Sequence, residues 1–357
     1  MKWRLPHNGY EHEVRQPLRV SAQLTNVYLL CMVLAWLPAM SQSNEKIPRS
    51  SDGKPSLDGV WDYRSLIPLE RAGPLALTPI LTETEAVQRE VQARRKTNDQ
   101  DRPSEVDRNA PPKGSDVGSY NSFWYDNTAG IATDLRTSLI VDPADGRVPP
   151  YQPGVEIQAL GDIKADNVLA RLRVGGVGTA GPEQRGIAER CLLGFSSGPP
   201  ILPGGYNQNI RITQTDDYVV ILNEMIHDAR IVPLNGLPRL GLTAWMGESR
   251  GHWEEDVLVV TTTSFNPTLS SFSRSFFSSV GNASELHLTE RFQRLDEHTL
   301  RYEFTVTDPA TYTAPITGVL FMRNSNQRIF EYACHEGNYA MRNMLEGARA
   351  QEQQEAE

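Results

Sequence analysis

From residue 209 onward, apolar and polar positions alternate with a period of two, the signature of strands with one face buried. Runs 210–215 and 218–225 read as two strands joined at Asp216-Asp217, and 228–234 as a third. A short run, 241–245, follows. Trp245 and Trp253 bracket Gly-Glu-Ser-Arg-Gly at 247–251, which reads as a hairpin turn. The stretch 253–265 turns at Glu255-Asp256 into a long strand. Runs 285–295 and 299–308 join through Asp296-Glu297-His298, and 315–323 with 327–335 make the last hairpin. Short consecutive strands with brief turns predict a mainly β chain: an antiparallel meander closed into a barrel or curled sheet.

The first half is sparser. Leu57-Asp58-Gly59-Val60-Trp61-Asp62-Tyr63 reads as a strand. The pattern predicts a helix over 82–95, with Thr82 and Glu85 spaced as a capping box. A polar loop, 96–118, leads into the aromatic run 118–126, GSYNSFWYD, which is either a plug in the core or a pocket wall. The run 135–143 reads as a strand ended by Pro143. The Gly/Pro-rich span 149–205 has one short predicted strand, Arg190-Cys191-Leu192-Leu193. Its Gly175-Gly176-Val177-Gly178 lacks the Lys-Ser/Thr of a phosphate loop. Residues 338–357 predict a C-terminal helix, polar at its end. The expected organisation is a signal peptide or anchor at 1–41, a linker at 42–56, one β-rich domain at 57–350 and a polar tail at 351–357.

Composition narrows the function classes. The 357 residues are 39% hydrophobic, enough for a sizeable core. A net charge of -9 argues against nucleic acid or an anionic membrane as partner. Run 27–37, VYLLCMVLAWL, suits a signal h-region, with basic residues before it and Ala39-Met40-Ser41 as a cleavage pattern. Beyond that anchor no membrane contact is expected, and the location expected is periplasmic or secreted. Cys31 would leave with the signal. Cys191 and Cys334 then form one disulfide or remain two buried thiols.

The candidate chemistry gathers at 328–342, RIFEYACHEGNYAMR. His335 offers a proton-transfer group, Glu336 a carboxylate and Asn338 a two-way amide, around the flexible Gly337. A helix start with Asn338 as cap explains the same Gly and Asn. Glu224 sits in an apolar strand, where a carboxylate is costly unless paired or protonated. Its two readings are an ion pair with Arg136, Arg230 or Arg301, and a general base. Tyr120, Asn121, Trp124, Arg136 and Trp245 are the candidates for orienting a ligand. No metal-ligand spacing, dinucleotide fingerprint or haem motif occurs, so neither metal nor cofactor is expected.

The strings LDGVWDYRS, GSYNSFWYD, RTSLIVDP, GESRGHWEEDVLVVTTTSF, TLRYEFTVTDPATYTAPIT and EYACHEGNYAMRNMLEGARA resemble a family of secreted bacterial β-rich proteins ending in a CHEGNY-type motif. That resemblance implies export and a β-rich domain, and no reaction. Gly59-Val60-Trp61 with the meander also resembles lipocalin-like barrels, in which the Trp closes one end. The leading expectation is cofactor-independent acid–base chemistry of lyase, isomerase, cyclase or hydrolase type on a small apolar or aromatic molecule. His335 would act with Glu224 or Glu336. The rivals are a non-catalytic carrier using the same pocket and an envelope interaction protein using 149–205 as its contact surface. No residue pattern speaks to an oligomeric state.

Overall fold

The structure is a computed structural model, and it describes residues 47–71, 73–100, 130, 134–159, 180–276 and 278–356. The run 27–37, expected to be a signal h-region, and Tyr120, Asn121 and Trp124 lie outside the described residues. All described residues belong to the unit Glu45–Glu357.

The first strand, β1 (Gly59–Asp62), turns one side chain fully inward, Trp61. The helix α1 (Glu83–Gln100) starts where predicted: the Thr82 amide and hydroxyl donate to Glu85, and the Glu85 amide donates back to the Thr82 hydroxyl. Two short strands follow, β2 (Ile140–Asp142) and β3 (Ile157–Ala159). The meander then runs through β4 (Asn209–Gln214), β5 (Tyr218–Asn223), β6 (Ala229–Pro233), β7 (Glu248–Glu254), β8 (Val257–Thr263), β9 (Ser278–Val280), β10 (His287–Arg294), β11 (Thr299–Thr307) and β12 (Ile316–Ser325). The chain ends in α2 (Tyr339–Ala356).

Among the described residues these strands make one 10-stranded antiparallel sheet in the order β6-β5-β4-β1-β12-β11-β10-β8-β7, with β2 added beside β12. β3 and β9 form a separate pair. Strict alternation in β10 and β11 sends Leu288, Glu290, Phe292 and Arg294, with Leu300, Tyr302, Phe304 and Val306, to the inside. At the cross-strand pair Phe304–Gly318 the ring lies where a Cβ on Gly318 would be, so only glycine fits there.

The sheet curls without closing. Its edge strands β6 and β7 lie against each other, Val232 and Leu234 touching Gly251, yet no ladder joins them. Neighbours along the path are antiparallel throughout, and the path has an odd number of strands, so both edges run the same way. Pairing across the seam would need slanted parallel bonds in an otherwise antiparallel sheet.

One end of the curl is stoppered. Trp61 Nε1 donates to the Leu57 carbonyl at 2.9 Å, and the Arg294 guanidinium lies 5.2 Å over its ring. Arg294 also donates to the carbonyls of Ser56, Asp296 and Glu297, tying the stopper to the rim. The interior is filled from the other end by the segment 186–202, which buries Ile187, Leu193, Ser197 and Ile201.

Three local expectations change. Residues 190–193 form turns, their amides bonding to Gly186, Ala188 and Ile187 carbonyls rather than a ladder. Residues 248–251 belong to β7: Ser249 and Gly251 face inward and Glu248 and Arg250 outward, a strand alternation. Residues 327–335 carry no strand, because β12 already has β1 on one side and β11 on the other. Cys191 and Cys334 are joined by a disulfide with Cα atoms 5.8 Å apart.

Candidate functional site

The open end of the curl, where β1 finishes and β4 begins, carries a half-open cavity of about 340 Å³. Ser65, Leu66, Ile67, Pro68 and Leu69 wall one side, and Leu139, Leu202, Pro203 and Gly204 form the floor. Ser273, Arg274 and Phe276 close the remaining side. The first wall is held by backbone pairing, Leu139 to Pro68 at 2.8 Å and Ile140 to Leu69 at 3.1 Å. The floor is fixed from below, because the Ile201 amide donates to the buried Tyr302 hydroxyl at 3.0 Å. The third wall is fixed by Tyr312, whose hydroxyl donates to the Phe272 carbonyl.

Among the described residues, Arg274 is the one charged side chain lining the cavity. Its Nε donates to the Tyr151 hydroxyl at 3.2 Å and its guanidinium lies 5.4 Å over the Tyr151 ring. The nearest carboxylate oxygen, on Glu70, is 3.8 Å from Nη1, beyond hydrogen-bond distance. Partial burial works against its charge, but Glu70 and the Tyr151 hydroxyl outweigh that and raise its pKa above the ordinary arginine value.

The residues singled out from sequence do not meet here. His335 and Glu336 are exposed, in the turn that precedes α2. Asn338 donates to the Glu189 carbonyl at 3.0 Å, docking the C-terminal segment on the 186–192 turns. Glu224 is 5% exposed, yet among the described residues no ion pair holds it. Arg230 pairs with Glu290, Arg136 with Asp134 and Arg301 with Glu303, so each proposed cation is engaged elsewhere. Glu224 instead accepts from Asn209 Nδ2 at 2.8 Å and from the Phe330 amide at 3.3 Å. These neutral donors supply the compensation that a buried carboxylate requires. The C-terminal segment does reach Glu224, through Phe330 rather than His335. Trp245 packs half-buried on the core, and Arg136 lies 5.5 Å over the Phe321 ring; neither lines the cavity.

No family model matches the chain, and no curated protein or solved structure matches it.

Sequence reasoning passed over two groups of residues. The lining residue Arg274 sits in SSFSRSFFSS, 270–279, where a lone cation among serines and phenylalanines was the available signal. The second group lies inside the curl: Arg230 and Glu290 form a two-pronged ion pair, Nη2 to Oε1 at 2.9 Å, and the Tyr302 hydroxyl donates to Glu290 at 2.8 Å. Burial opposes the Arg230 charge, but Glu290 more than offsets it and raises the pKa. Burial, reinforced by Glu290, pushes the Tyr302 phenol well up, so it stays a donor. Among the described residues no three His, Cys, Asp or Glu side chains come together as a metal site would need.

Proposed function

We propose that the protein is an exported binding protein, holding a small apolar or aromatic molecule in the mouth cavity without transforming it. The observation that carries this reading is the lining: leucines, isoleucine, prolines and a phenylalanine, with serines and a single arginine as the polar groups. Among the described residues, none of the lining side chains is a carboxylate, imidazole or thiol fit to move a proton at neutral pH. Acid–base catalysis would need such a group beside the ligand, and His335, Glu224 and Glu336 are not among the lining residues. Export is supported by the h-region at 27–37 and by the Cys191–Cys334 disulfide, which suits an oxidising compartment.

The test is displacement of an environment-sensitive hydrophobic dye. Leu66→Trp places an indole in the cavity and should abolish saturable dye binding while leaving the unfolding midpoint near that of the wild type. His335→Ala should bind the dye as the wild type does. Undiminished dye binding by Leu66→Trp, or loss in His335→Ala, would overturn the reading.

A further inference from the structure

The mouth cavity is apolar apart from a few serines and one guanidinium, and that guanidinium is held in a particular pose. Tyr151 engages Nε and lies beneath the guanidinium plane, so the side of Arg274 bearing its two terminal nitrogens is left over. Among the described residues neither terminal nitrogen donates a hydrogen bond, and Nη1 has only a loose ion pair with Glu70, at 3.8 Å. Of the neighbouring hydroxyls, Ser273 Oγ shares a hydrogen bond with Ser278, and Ser65 Oγ accepts from the Ile67 amide while keeping its own proton to donate. The charged feature is a planar, two-pronged cation beside an apolar hollow.

We infer that the ligand is a monocarboxylic acid with an apolar tail, its carboxylate taken by the terminal nitrogens of Arg274 and its tail laid along Leu66, Leu139 and Phe276. This rests on the binding reading above and adds the headgroup. A planar carboxylate matches two parallel N–H donors of a guanidinium. A single anionic charge fits better than a phosphate dianion, because Glu70 stands close and the chain carries a net charge of -9. An ammonium ligand would meet Arg274 as a like charge. An alcohol or ester would leave one prong unused.

The experiment compares decanoate with 1-decanol by calorimetry on the full mature chain, with Arg274→Gln and Arg274→Lys. Decanoate should bind the wild type about tenfold more tightly than decanol, the worth of a charge-assisted hydrogen-bond pair at a half-exposed site. Arg274→Gln should bring decanoate down to the decanol level and leave decanol unchanged, which also shows that the cavity is intact. Arg274→Lys should recover part of the preference. Equal binding of both probes by the wild type would end the headgroup inference and leave the binding reading standing. An equal loss of both probes in Arg274→Gln would assign Arg274 to shaping the wall, and the inference would fail. If neither probe binds the wild type while dye displacement succeeds, the headgroup inference fails alone. If the dye also does not bind, both fall.

Discussion

At Glu290 a carboxylate has none of its surface exposed, and every stabilising contact it has comes from Arg230 and Tyr302. Burying such a pair costs several kcal/mol per ion in desolvation, which attraction and hydrogen bonding only then offset. Removing one partner is therefore far worse than removing both. Glu290→Gln should lower unfolding free energy by about 3–5 kcal/mol, whereas Arg230→Met with Glu290→Leu should lose little or gain. Urea unfolding of both variants checks this; equal losses would show that the pair's charges are not what matters. This pair was half legible in the sequence. Arg230 was named as a possible partner for Glu224, but its actual partner, Glu290, lies 60 positions away across the curl, and strand alternation alone does not say which strands face each other. Glu224 is a second such case. Its burial was expected from the apolar strand before it, but β5 buries Val219 and Ile221 rather than Val220 and Leu222, and its donors, Asn209 and the Phe330 amide, were not legible.

Among the elements, the C-terminal arm is the least integrated. Residues 327–338 join no ladder, and α2 buries none of its described residues. Its anchors are few: the Cys191–Cys334 bridge, Asn338 on the Glu189 carbonyl, Arg185 on Met344 and Arg349 on the Ala180 carbonyl. These land on the 180–191 segment, the Phe330 amide on Glu224 being a further tie, and the bridge is the covalent one among them. Reduction should cost about 2–4 kcal/mol of stability and open Arg328, Arg342 and Arg349 to trypsin while the sheet persists. Limited proteolysis with and without reductant reads this directly, and an unchanged digestion pattern would refute it. Helix α1, the hairpins β4–β5 and β10–β11 and the Glu255-Asp256 turn were legible because local spacing and capping set them. The arm was misread as a strand because its alternation is real, but a strand needs a free edge, and β12 has none.

Over the whole molecule, the meander and its curl follow from alternation and short turns, and the open seam follows from the odd number of strands. The filling of the interior was not legible: 186–202 reads as loop by composition, yet it carries Ile187, Leu193 and Ile201 into the core. That filling moves the available space from the centre of the curl to its mouth, and with it the candidate site from His335 to Arg274. The central claim is the place of binding, and photo-crosslinking tests it most directly. A diazirine-bearing decanoate, irradiated with the mature protein and mapped by peptide mass spectrometry, should label 65–69, 202–204 and 273–276, with labelling suppressed by excess decanoate. Competed labelling at 328–342 or around Glu224 instead would contradict the account.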